Sequence, residues 1–438
     1  MLSSRLPKDL SPSPFFAELE RAKADVLAEC ANADALPFID MTVSSPVKAG
    51  LPVNLDDAVD EGRKAFGNWS PDAAGWKSAR EAVVEYYRLR GGNFTAGQII
   101  LTASTSEAYS VLFKTFCDPG DVILTPMPGY PLLDTLAQLE HLECAPYFLK
   151  IRRENVRKLA TDERQKGATF RFVLDSDSLL AAPEHAKILL LVSPHNPTGH
   201  CVSREEWNEA VRFCEENNMI LVVDEVFGDY AFSDKVSRTW QYVFGERENV
   251  ILDPGVPSAI GEGIWDAGGG DFINLPENGP KCPIFWLNGL SKAVGSPQLK
   301  LGWMAFYAPR ENFEEIRAAL EFVEDAYLSV SAPAQALGIS LLPKASAYES
   351  KVLDRLLQNW QTLREAFPSK YCPEVLGGWY AVVRLGEDDE ELTLRLLREK
   401  HVLVQPGFFF DFDEDGWVVM SLLQDPAIFK EAIQRIKQ

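Results

Sequence analysis

The sequence predicts an α/β fold in which helices cover both faces of a mostly parallel sheet. Short apolar runs typical of buried strands alternate with helical patterns, most clearly over 107–116 and 205–215. After Pro309 the pattern changes to long helices and few strands, which predicts a smaller α+β unit. A chain of 438 residues is long enough for both. The strands predicted for the large sheet are 99–101, 122–124, 188–192, 220–223, 285–287 and 304–307.

Two helices are predicted before this sheet. Apolar residues of the first recur at helical spacing: Phe15, Leu19, Ala22, Val26 and Cys30. Residues 36–51 are interrupted by prolines and are expected to be extended. The second helix is predicted over 79–87, and Gly91 and Gly92 end it.

These patterns divide the chain into three parts. Residues 1–50 are an N-terminal segment that packs with the small domain, 51–309 form the large domain, and 310–438 form the small C-terminal α+β domain. The small domain is predicted to contain helices at 310–327, 349–367, 390–400 and from 426, with strands at 379–385, 402–404 and 417–422. Two stretches break the alternation and are interpreted as insertions or long loops: the polar and basic 150–172 and the Gly- and Pro-rich 254–283.

Composition narrows the class of partner. The formal net charge of -21 is spread along the chain, which disfavours nucleic acid and anionic membranes as partners. The seven cysteines form no Cys-x-x-Cys pair and are interpreted as buried thiols in a reducing compartment; no metal site is predicted. We see no signal peptide and no apolar run of membrane-spanning length, so a cytoplasmic protein is expected.

One lysine stands directly after a predicted buried strand. The apolar run 283–287 ends in a short polar turn that contains Gly289, Ser291 and Lys292. Desolvation lowers the pKa of a lysine, and the neutral amine is the form that attacks an aldehyde to make a Schiff base. A Ser-Lys pair alone is usually a surface turn, so the interpretation depends on the other motifs. With them, Lys292 is predicted to hold pyridoxal phosphate.

Two motifs follow the first two strands. Ser104 and Glu107 form a capping-box pattern that starts a helix, and Thr105 and Ser106 add hydroxyls beside its free N–H groups. Such a helix start can bind a phosphate, although a simple cap is the alternative. Tyr130, in a Pro-Gly-Tyr-Pro turn, presents a ring that could stack on a planar heterocycle; the alternative is an ordinary turn.

Two more polar residues follow later strands. Asn196 lies between Pro194 and Pro197, which fix its backbone and aim its amide at a defined point. The neighbouring His195 is interpreted as a neutral core or supporting residue. Asp224 ends the strand 220–223; a carboxylate facing a pyridine nitrogen keeps that nitrogen protonated, and the pyridinium withdraws electrons from a carbanion. A terminal Asp is also a common cap.

In chain order these motifs make one pattern, which resembles the class I/II aminotransferases, fold type I of the pyridoxal-phosphate enzymes, over roughly residues 36–430. The resemblance implies a seven-stranded-type sheet, pyridoxal 5'-phosphate as cofactor, amine or amino acid and oxo-acid substrates, and an active site at a homodimer interface. It implies that Lys292 is the Schiff-base lysine and proton shuttle, that Asp224 meets the pyridine nitrogen, that Asn196 donates to the ring oxygen and that Tyr130 stacks on the ring. The phosphate would be held by Ser104, Thr105, Ser106 and Ser291.

The chain also departs from the family pattern at four cofactor positions. Phe227 stands where the family has a tyrosine that binds the ring oxygen, and Gly289 replaces a frequent serine. Lys300 replaces the phosphate-binding arginine, which keeps the charge but loses the bidentate geometry. Trp69 stands where a tyrosine reaches the phosphate of the neighbouring subunit. These changes predict a phosphate site with fewer directed hydrogen bonds.

The largest departure concerns the substrate. Val419 occupies the place of the arginine that clamps the substrate α-carboxylate, and an apolar residue cannot bind a carboxylate. Either another cation replaces it, with Lys48 and Arg384 as weak candidates, or the substrate lacks an ordinary α-carboxylate.

Two alternatives to an aminotransferase remain open, and a third is disfavoured. The first is another carbanion reaction of the same cofactor, such as β- or γ-elimination, decarboxylation or racemisation, because all use the same binding residues. The second is a non-catalytic binding protein on this fold. A nicotinamide dehydrogenase is disfavoured, because no Gly-x-Gly-x-x-Gly follows a strand.

Overall fold

The chain folds around one large sheet and two small ones. The computed structural model describes residues 3–7, 9–11, 13–31, 36–155, 168–244, 276, 279–386 and 388–438. The helices are α1 Pro14–Glu29, α2 Asp56–Ala65, α3 Lys77–Arg88, α4 Thr105–Phe116, α5 Leu132–Leu139, α6 Ser176–Leu180, α7 Arg204–Glu216, α8 Gln241–Phe244, α9 Leu290–Ala293, α10 Arg310–Asp325, α11 Ala332–Leu341, α12 Ala345–Ala366, α13 Asp389–Lys400 and α14 Pro426–Ile436. The strands are β1 Ile39–Asp40, β2 Ile99–Thr102, β3 Val122–Met127, β4 Glu143–Asn155, β5 Ala168–Leu174, β6 Ala186–Val192, β7 Ile220–Asp224, β8 Ile284–Gly289, β9 Gly302–Tyr307, β10 Tyr380–Arg384, β11 Val402–Leu403, β12 Gln405–Pro406 and β13 Trp417–Ser421.

The large sheet has the strand order β2-β9-β8-β7-β6-β3-β4-β5. Its centre, from β8 through β7, β6 and β3 to β4, is parallel. The predicted α/β fold with a mostly parallel sheet is therefore confirmed. Helices cover both faces, which buries nearly every residue of the central strands β3, β6, β7 and β8 apart from Lys187 of β6 and explains their continuous apolar runs.

The direction of the strands gathers the predicted motifs at one edge. β3, β6, β7 and β8 are parallel, so their carboxyl ends meet there. β2 also ends at this edge, because β9 runs antiparallel to both β2 and β8. Ligands of such sheets bind beyond the carboxyl ends of the strands.

The loop interpretation of residues 150–172 is wrong in part. β4 continues to Asn155 and pairs with β5 as an antiparallel hairpin, which gives the sheet eight strands rather than the seven expected. Arg171 in β5 pairs with Glu154 in β4 at 2.8 Å. Exposed polar residues at the end of β4 hid the strand, because this part of the hairpin has no apolar run. Residues 156–167, and most of the second predicted insertion at 254–283, lie outside the described residues.

Most of the other predicted elements are present within a few residues of their predicted bounds. The first helix buries Phe15, Leu19, Ala22 and Val26, as its spacing predicts. Six of the described helices were not predicted by name: α2, α5, α6, α8, α9 and α11. Of these, α2 and α11 pack against each other, and α11 also contacts α3. The α11 sequence is apolar nearly all round, so it lacks the one-sided pattern of a surface helix.

The N-terminal segment packs on the C-terminal part of the chain. β1 pairs with β11 in parallel, and α1 packs against α13. The small sheet β10-β13-β12 is antiparallel. Helices α10 and α11 instead contact α4 and α2 of the larger unit, and the boundary near residue 310 stays a prediction. Among the described helices, none combines the length and apolar character needed to cross a membrane.

Candidate active site

Lys292 lies in the short helix α9, directly beyond β8. Gly289, the last residue of β8, permits this turn: a Cβ there would lie 2.9 Å from the Leu301 carbonyl oxygen and 3.0 Å from the Gly302 Cα. The hydroxyl of Tyr230 donates to the carbonyl oxygen of Lys292 at 2.6 Å. The backbone of the lysine is therefore fixed by β8 on one side and by the loop after β7 on the other.

Aromatic rings surround the Lys292 amine. Its Nζ lies 4.7 Å from the centre of the Trp379 ring and 5.3 Å from that of Phe227. Burial lowers the pKa of Lys292 from 10.5 to about 8, and the negative charge of Asp224 opposes this shift. A substantial fraction of the amine is thus neutral near physiological pH, as a nucleophile or general base requires.

Asp224 is the last residue of β7, and its carboxylate has two hydrogen-bond donors. The Tyr109 hydroxyl donates to Oδ2 at 2.7 Å, and the backbone N–H of Val226 donates to Oδ1 at 3.0 Å. Burial raises the pKa of Asp224, whereas both hydrogen bonds and the charge of Lys292 lower it. The structure thus brings the predicted acid and the predicted lysine into electrostatic contact.

Asn196 lies in the loop after β6, with cis peptide bonds before Pro194 and Pro197. Its amide Oδ1 is buried and has no hydrogen-bond partner among the described residues. A buried amide atom of this kind usually has a partner, so the site fits a ligand with a complementary polar group. The neighbouring His195 is buried and bonded to Thr198 at 2.9 Å; burial lowers its pKa to about 3, which matches a neutral core residue.

The predicted phosphate end is the start of α4. Ser104 caps this helix and accepts from the Glu107 N–H at 3.2 Å. The Glu107 carboxylate accepts from the N–H of Ala103 at 2.5 Å rather than reaching back to Ser104, so the capping box is displaced by one residue. Thr105 and Ser106 are half-buried in the first turn.

β9 brings a second chain segment to the same helix start. A Cβ on Gly302 would lie 3.1 Å from the Thr105 N atom, so glycine permits this close approach. Lys300, two residues earlier, is exposed in a left-handed conformation with φ of 51°. Ser291 is half-buried beside Lys292. The five predicted phosphate residues therefore come from two neighbouring segments of one sheet edge.

Tyr130 and Trp69 are more exposed than the other predicted residues. Tyr130 is 46% exposed and lies near the hydroxyl of Tyr380. The Tyr380 hydroxyl also forms a hydrogen bond with Ser44. Burial is the main cause that raises the pKa of Tyr380 to about 12. Trp69 is 79% exposed, and no described contact joins it to Lys292 within one chain. Its predicted role depends on a second subunit and stays a prediction.

The substrate side lacks the usual cation. Val419 is fully buried in β13, opposite Val382 of β10 and Gln405 of β12. Arg384, one weak candidate to replace it, pairs with Glu414 and donates to the Asp415 carbonyl oxygen. Lys48, the other candidate, is exposed. The structure therefore offers neither candidate as a free buried cation beside Val419.

Four residues of the site were not found by sequence reasoning: Tyr109, Tyr230, Trp379 and Tyr380. Each is separated from its partner by a long stretch of chain, so no local motif contains the pair. Weak signals existed for two of them. Tyr109 follows Thr105 by one helical turn, and Trp379 follows two glycines at the start of a predicted strand.

A buried ion network supports the loop that carries Phe227 and Tyr230. The Asp229 carboxylate accepts hydrogen bonds from Tyr86 at 2.5 Å, Arg90 at 2.7 Å and Arg238 at 3.0 Å. Both guanidinium charges lower the pKa of Asp229 against the effect of burial, so it stays ionised. Satisfied buried networks rigidify their surroundings, and this one fixes the loop beneath the lysine.

The lowered pKa predicts how Lys292 reacts. An aldehyde reagent should label it with a midpoint near pH 8, because the neutral amine is the reactive form and burial lowers its pKa from 10.5 to about 8. The exposed Lys187 on β6 serves as a comparison for access of the reagent. Mass spectrometry of reduced, digested samples across the pH range measures the labelling, and a Lys292 profile without a midpoint near pH 8 would contradict the assignment.

The fold and this arrangement define a family of transferases. Residues 54–436 match the family model for aminotransferase class I and II, and the chain belongs to this family. It is therefore an enzyme that transfers amino groups. Relatives include tyrosine aminotransferase of Caenorhabditis elegans, 22% identical over 381 residues that cover 85% of this chain and 71% of that protein. Alanine aminotransferase of Mycobacterium tuberculosis (strain ATCC 25618 / H37Rv) is 26% identical over 379 residues, 83% of this chain and 76% of the relative.

Solved structures share the fold. An aminotransferase from Escherichia coli superposes with a TM-score of 0.73 at 18% identity and covers 100% of this chain and 97% of its own. Alanine aminotransferase from Pyrococcus furiosus gives a TM-score of 0.71 at 21% identity and covers 98% of both chains. The predicted fold type I architecture is confirmed by these likenesses.

Proposed function

We propose that this aminotransferase uses pyridoxal 5'-phosphate bound at Lys292 and moves an amino group between an amine or amino acid donor and an oxo acid. The observation that carries the proposal is a half-buried lysine with a pKa of about 8, placed beside Asp224 at the carboxyl edge of the sheet. The buried side-chain amide of Asn196 supports it, because its Oδ1 has no hydrogen-bond partner among the described residues and its NH2 group can donate to the ring oxygen of the cofactor.

Each residue of the site has a proposed role. The cofactor, when bound, supplies an aldehyde for the amine of Lys292 and a protonated ring that withdraws electrons from the substrate carbon. Asp224 keeps the proton on the pyridine nitrogen, Asn196 donates to the ring oxygen and Tyr130 covers the ring. The phosphate is held by the α4 start and its neighbours: Ser104, Thr105, Ser106, Ser291 and Lys300.

Lys292 also carries the proton. When it is not bonded to the cofactor, the Lys292 Nζ would accept the proton that leaves the substrate carbon and would then donate it again. Burial favours this role because the neutral form accepts a proton. Asn196 is the proposed hydrogen-bond donor to the ring oxygen. Phe227 has no hydroxyl, so the second donor, which is a tyrosine in the family, is absent. β- or γ-elimination, decarboxylation and racemisation use the same residues and remain the second candidates.

A second copy of the chain is the proposed partner. Trp69 borders a groove lined also by Trp76, Leu328 and Gln335. Large exposed apolar side chains occur in the same parts of the chain, with Phe66 at 79% and Tyr327 at 58% exposure. A homodimer would bury such residues and would bring Trp69 to the partner's phosphate. All seven cysteines are free, which supports the expected reducing, cytoplasmic location.

The test is a half-reaction with the cofactor-loaded enzyme and an amine donor. Transfer predicts that pyridoxamine phosphate and an oxo product appear in equal amounts when no acceptor is present. Borohydride treatment before the donor is added should fix the cofactor to Lys292, whereas the exposed Lys187 should carry none. Release of ammonia, carbon dioxide or an inverted amino acid without pyridoxamine phosphate would favour one of the second candidates instead.

A further inference from the structure

The wall of the site beside Lys292 is aromatic. The Phe227 and Trp379 rings lie 5.4 Å apart, and the Tyr380 ring meets Phe227 edge-on at 6.0 Å. Tyr230 contacts the other side of Trp379 at 5.1 Å. We call Phe227, Trp379 and Tyr380 the aromatic wall. All three residues are at most 8% exposed, so any group of a ligand that packs against them is removed from water.

The segment that leads into Trp379 is held by two loops at the carboxyl edge of the large sheet. The Gly378 N–H donates to the Tyr230 carbonyl oxygen at 3.0 Å, and the Leu376 N–H donates to that of Gly199 at 2.9 Å. The segment before Trp379 is therefore attached to the loop beneath Lys292 and to the loop that carries Asn196. A side chain fixed to both loops can select a substrate through its own shape and polarity.

The indole N–H of Trp379 is buried and has no hydrogen-bond partner among the described residues. Most buried N–H groups are paired, and an unpaired one is costly unless a ligand or water satisfies it. The Trp379 ring lies 4.7 Å from the Lys292 Nζ, so this donor belongs to the site rather than to the distant core. It is a neutral donor, and it suits a hydroxyl or carbonyl oxygen.

The charges near the lysine are unsuited to a carboxylate. Asp224 is the charged residue that acts on the pKa of Lys292 among the described residues, and it is negative. Val419, at the place of the family's carboxylate-binding arginine, is fully buried between Val382 and Gln405. Burying a carboxylate without a partner of opposite charge is strongly unfavourable. A donor with a carboxylate on its amine-bearing carbon would meet this cost here.

We propose, resting on the proposed function, that the amino donor is an amine whose amine-bearing carbon carries a neutral substituent instead of a carboxylate. Its apolar or aromatic body packs on the aromatic wall, and an oxygen of the neutral substituent accepts from the Trp379 N–H. Trp379 is thereby the residue that determines specificity for the donor. The proposal concerns the donor half-reaction.

Three donors that share one ring test this substrate class. 2-Phenylethylamine, phenylalaninol and L-phenylalanine carry hydrogen, a hydroxymethyl group and a carboxylate on the amine-bearing carbon. Single-turnover reactions of the holoenzyme, followed by loss of the visible absorption band, give a dissociation constant for each. Phenylalaninol should bind most tightly, and L-phenylalanine at least about tenfold more weakly than 2-phenylethylamine. Equal or tighter binding of L-phenylalanine, or no reaction of the neutral amines, would overturn the proposal.

A variant isolates the indole N–H. W379F keeps a ring but removes the donor, so the advantage of phenylalaninol over 2-phenylethylamine should fall by about three- to tenfold. W360F, on α12, is the control for replacing a buried tryptophan and should leave that ratio as it is. An unchanged ratio in W379F would remove Trp379 from the proposal. Product analysis keeps the proposed function separate: ammonia without pyridoxamine phosphate refutes transfer, whatever the ranking of the donors.

Discussion

Replacement of Lys292 by alanine is expected to slow amino-group transfer by about a thousandfold or more. The lysine amine has two proposed tasks, to hold the cofactor and to move a proton at the substrate carbon, and alanine can perform neither. The half-buried position and the pKa of about 8 suit the amine to both. The measurement is the single-turnover rate with saturating cofactor and donor, which separates the proton transfer from cofactor loss.

Two variants control this result. Arginine at position 292 keeps a positive charge but has no neutral form at working pH, so it should be about as slow as alanine. Lys187→Ala removes an exposed lysine on β6 and should retain the parental rate. Small amines added from solution should partly restore Lys292→Ala, because they supply a proton acceptor. A parental rate in Lys292→Ala would show that another group moves the proton.

The parallel sheet was predictable because its strands are buried on both faces. The runs at β6, β7 and β8 contain almost only apolar residues, and this composition is specific to strands covered by helices. The hairpin of β4 and β5 was not predictable in this way. The end of β4 lies at the edge of the sheet, where exposed residues such as Lys150 and Arg152 interrupt the apolar pattern that identifies a buried strand. The pairing of β4 with β5 also depends on a second segment of the chain, so the sequence of β4 alone does not indicate it.

Most of the predicted site residues lie directly after a strand, and topology brings such positions together. Lys292 and Asp224 follow the adjacent strands β8 and β7, so their interaction was foreseeable once a parallel sheet was assumed. Tyr109, Tyr230 and Trp379 depend instead on where helices and loops return to the sheet edge. Tyr109 and Asp224 are 115 residues apart in the chain, and no spacing rule joins them.

Asp224→Asn is expected to slow transfer by on the order of a hundred- to a thousandfold. The carboxylate of Asp224 holds a proton on the pyridine nitrogen, and an amide of the same shape cannot supply the negative charge that this requires. Electron withdrawal from the substrate carbon then weakens, so the proton leaves that carbon more slowly. The measurement is the single-turnover rate with 2-deuterated and ordinary donor; the isotope effect should increase, because removal of the proton becomes the slow step.

The Tyr109 hydroxyl offers a graded version of the same test. Its hydrogen bond of 2.7 Å favours the ionised Asp224, while burial raises the pKa of that carboxyl. Tyr109→Phe should therefore raise the pKa further, and the loss of rate as pH falls should begin at a higher pH than in the parent. Activity needs the ionised carboxylate of Asp224, so the acid limb of the pH–rate profile should shift to higher pH. The maximal rate of the variant should also fall by about three- to tenfold. An acid limb that stays in place or moves to lower pH would show that Asp224 does not control the proton on the ring nitrogen.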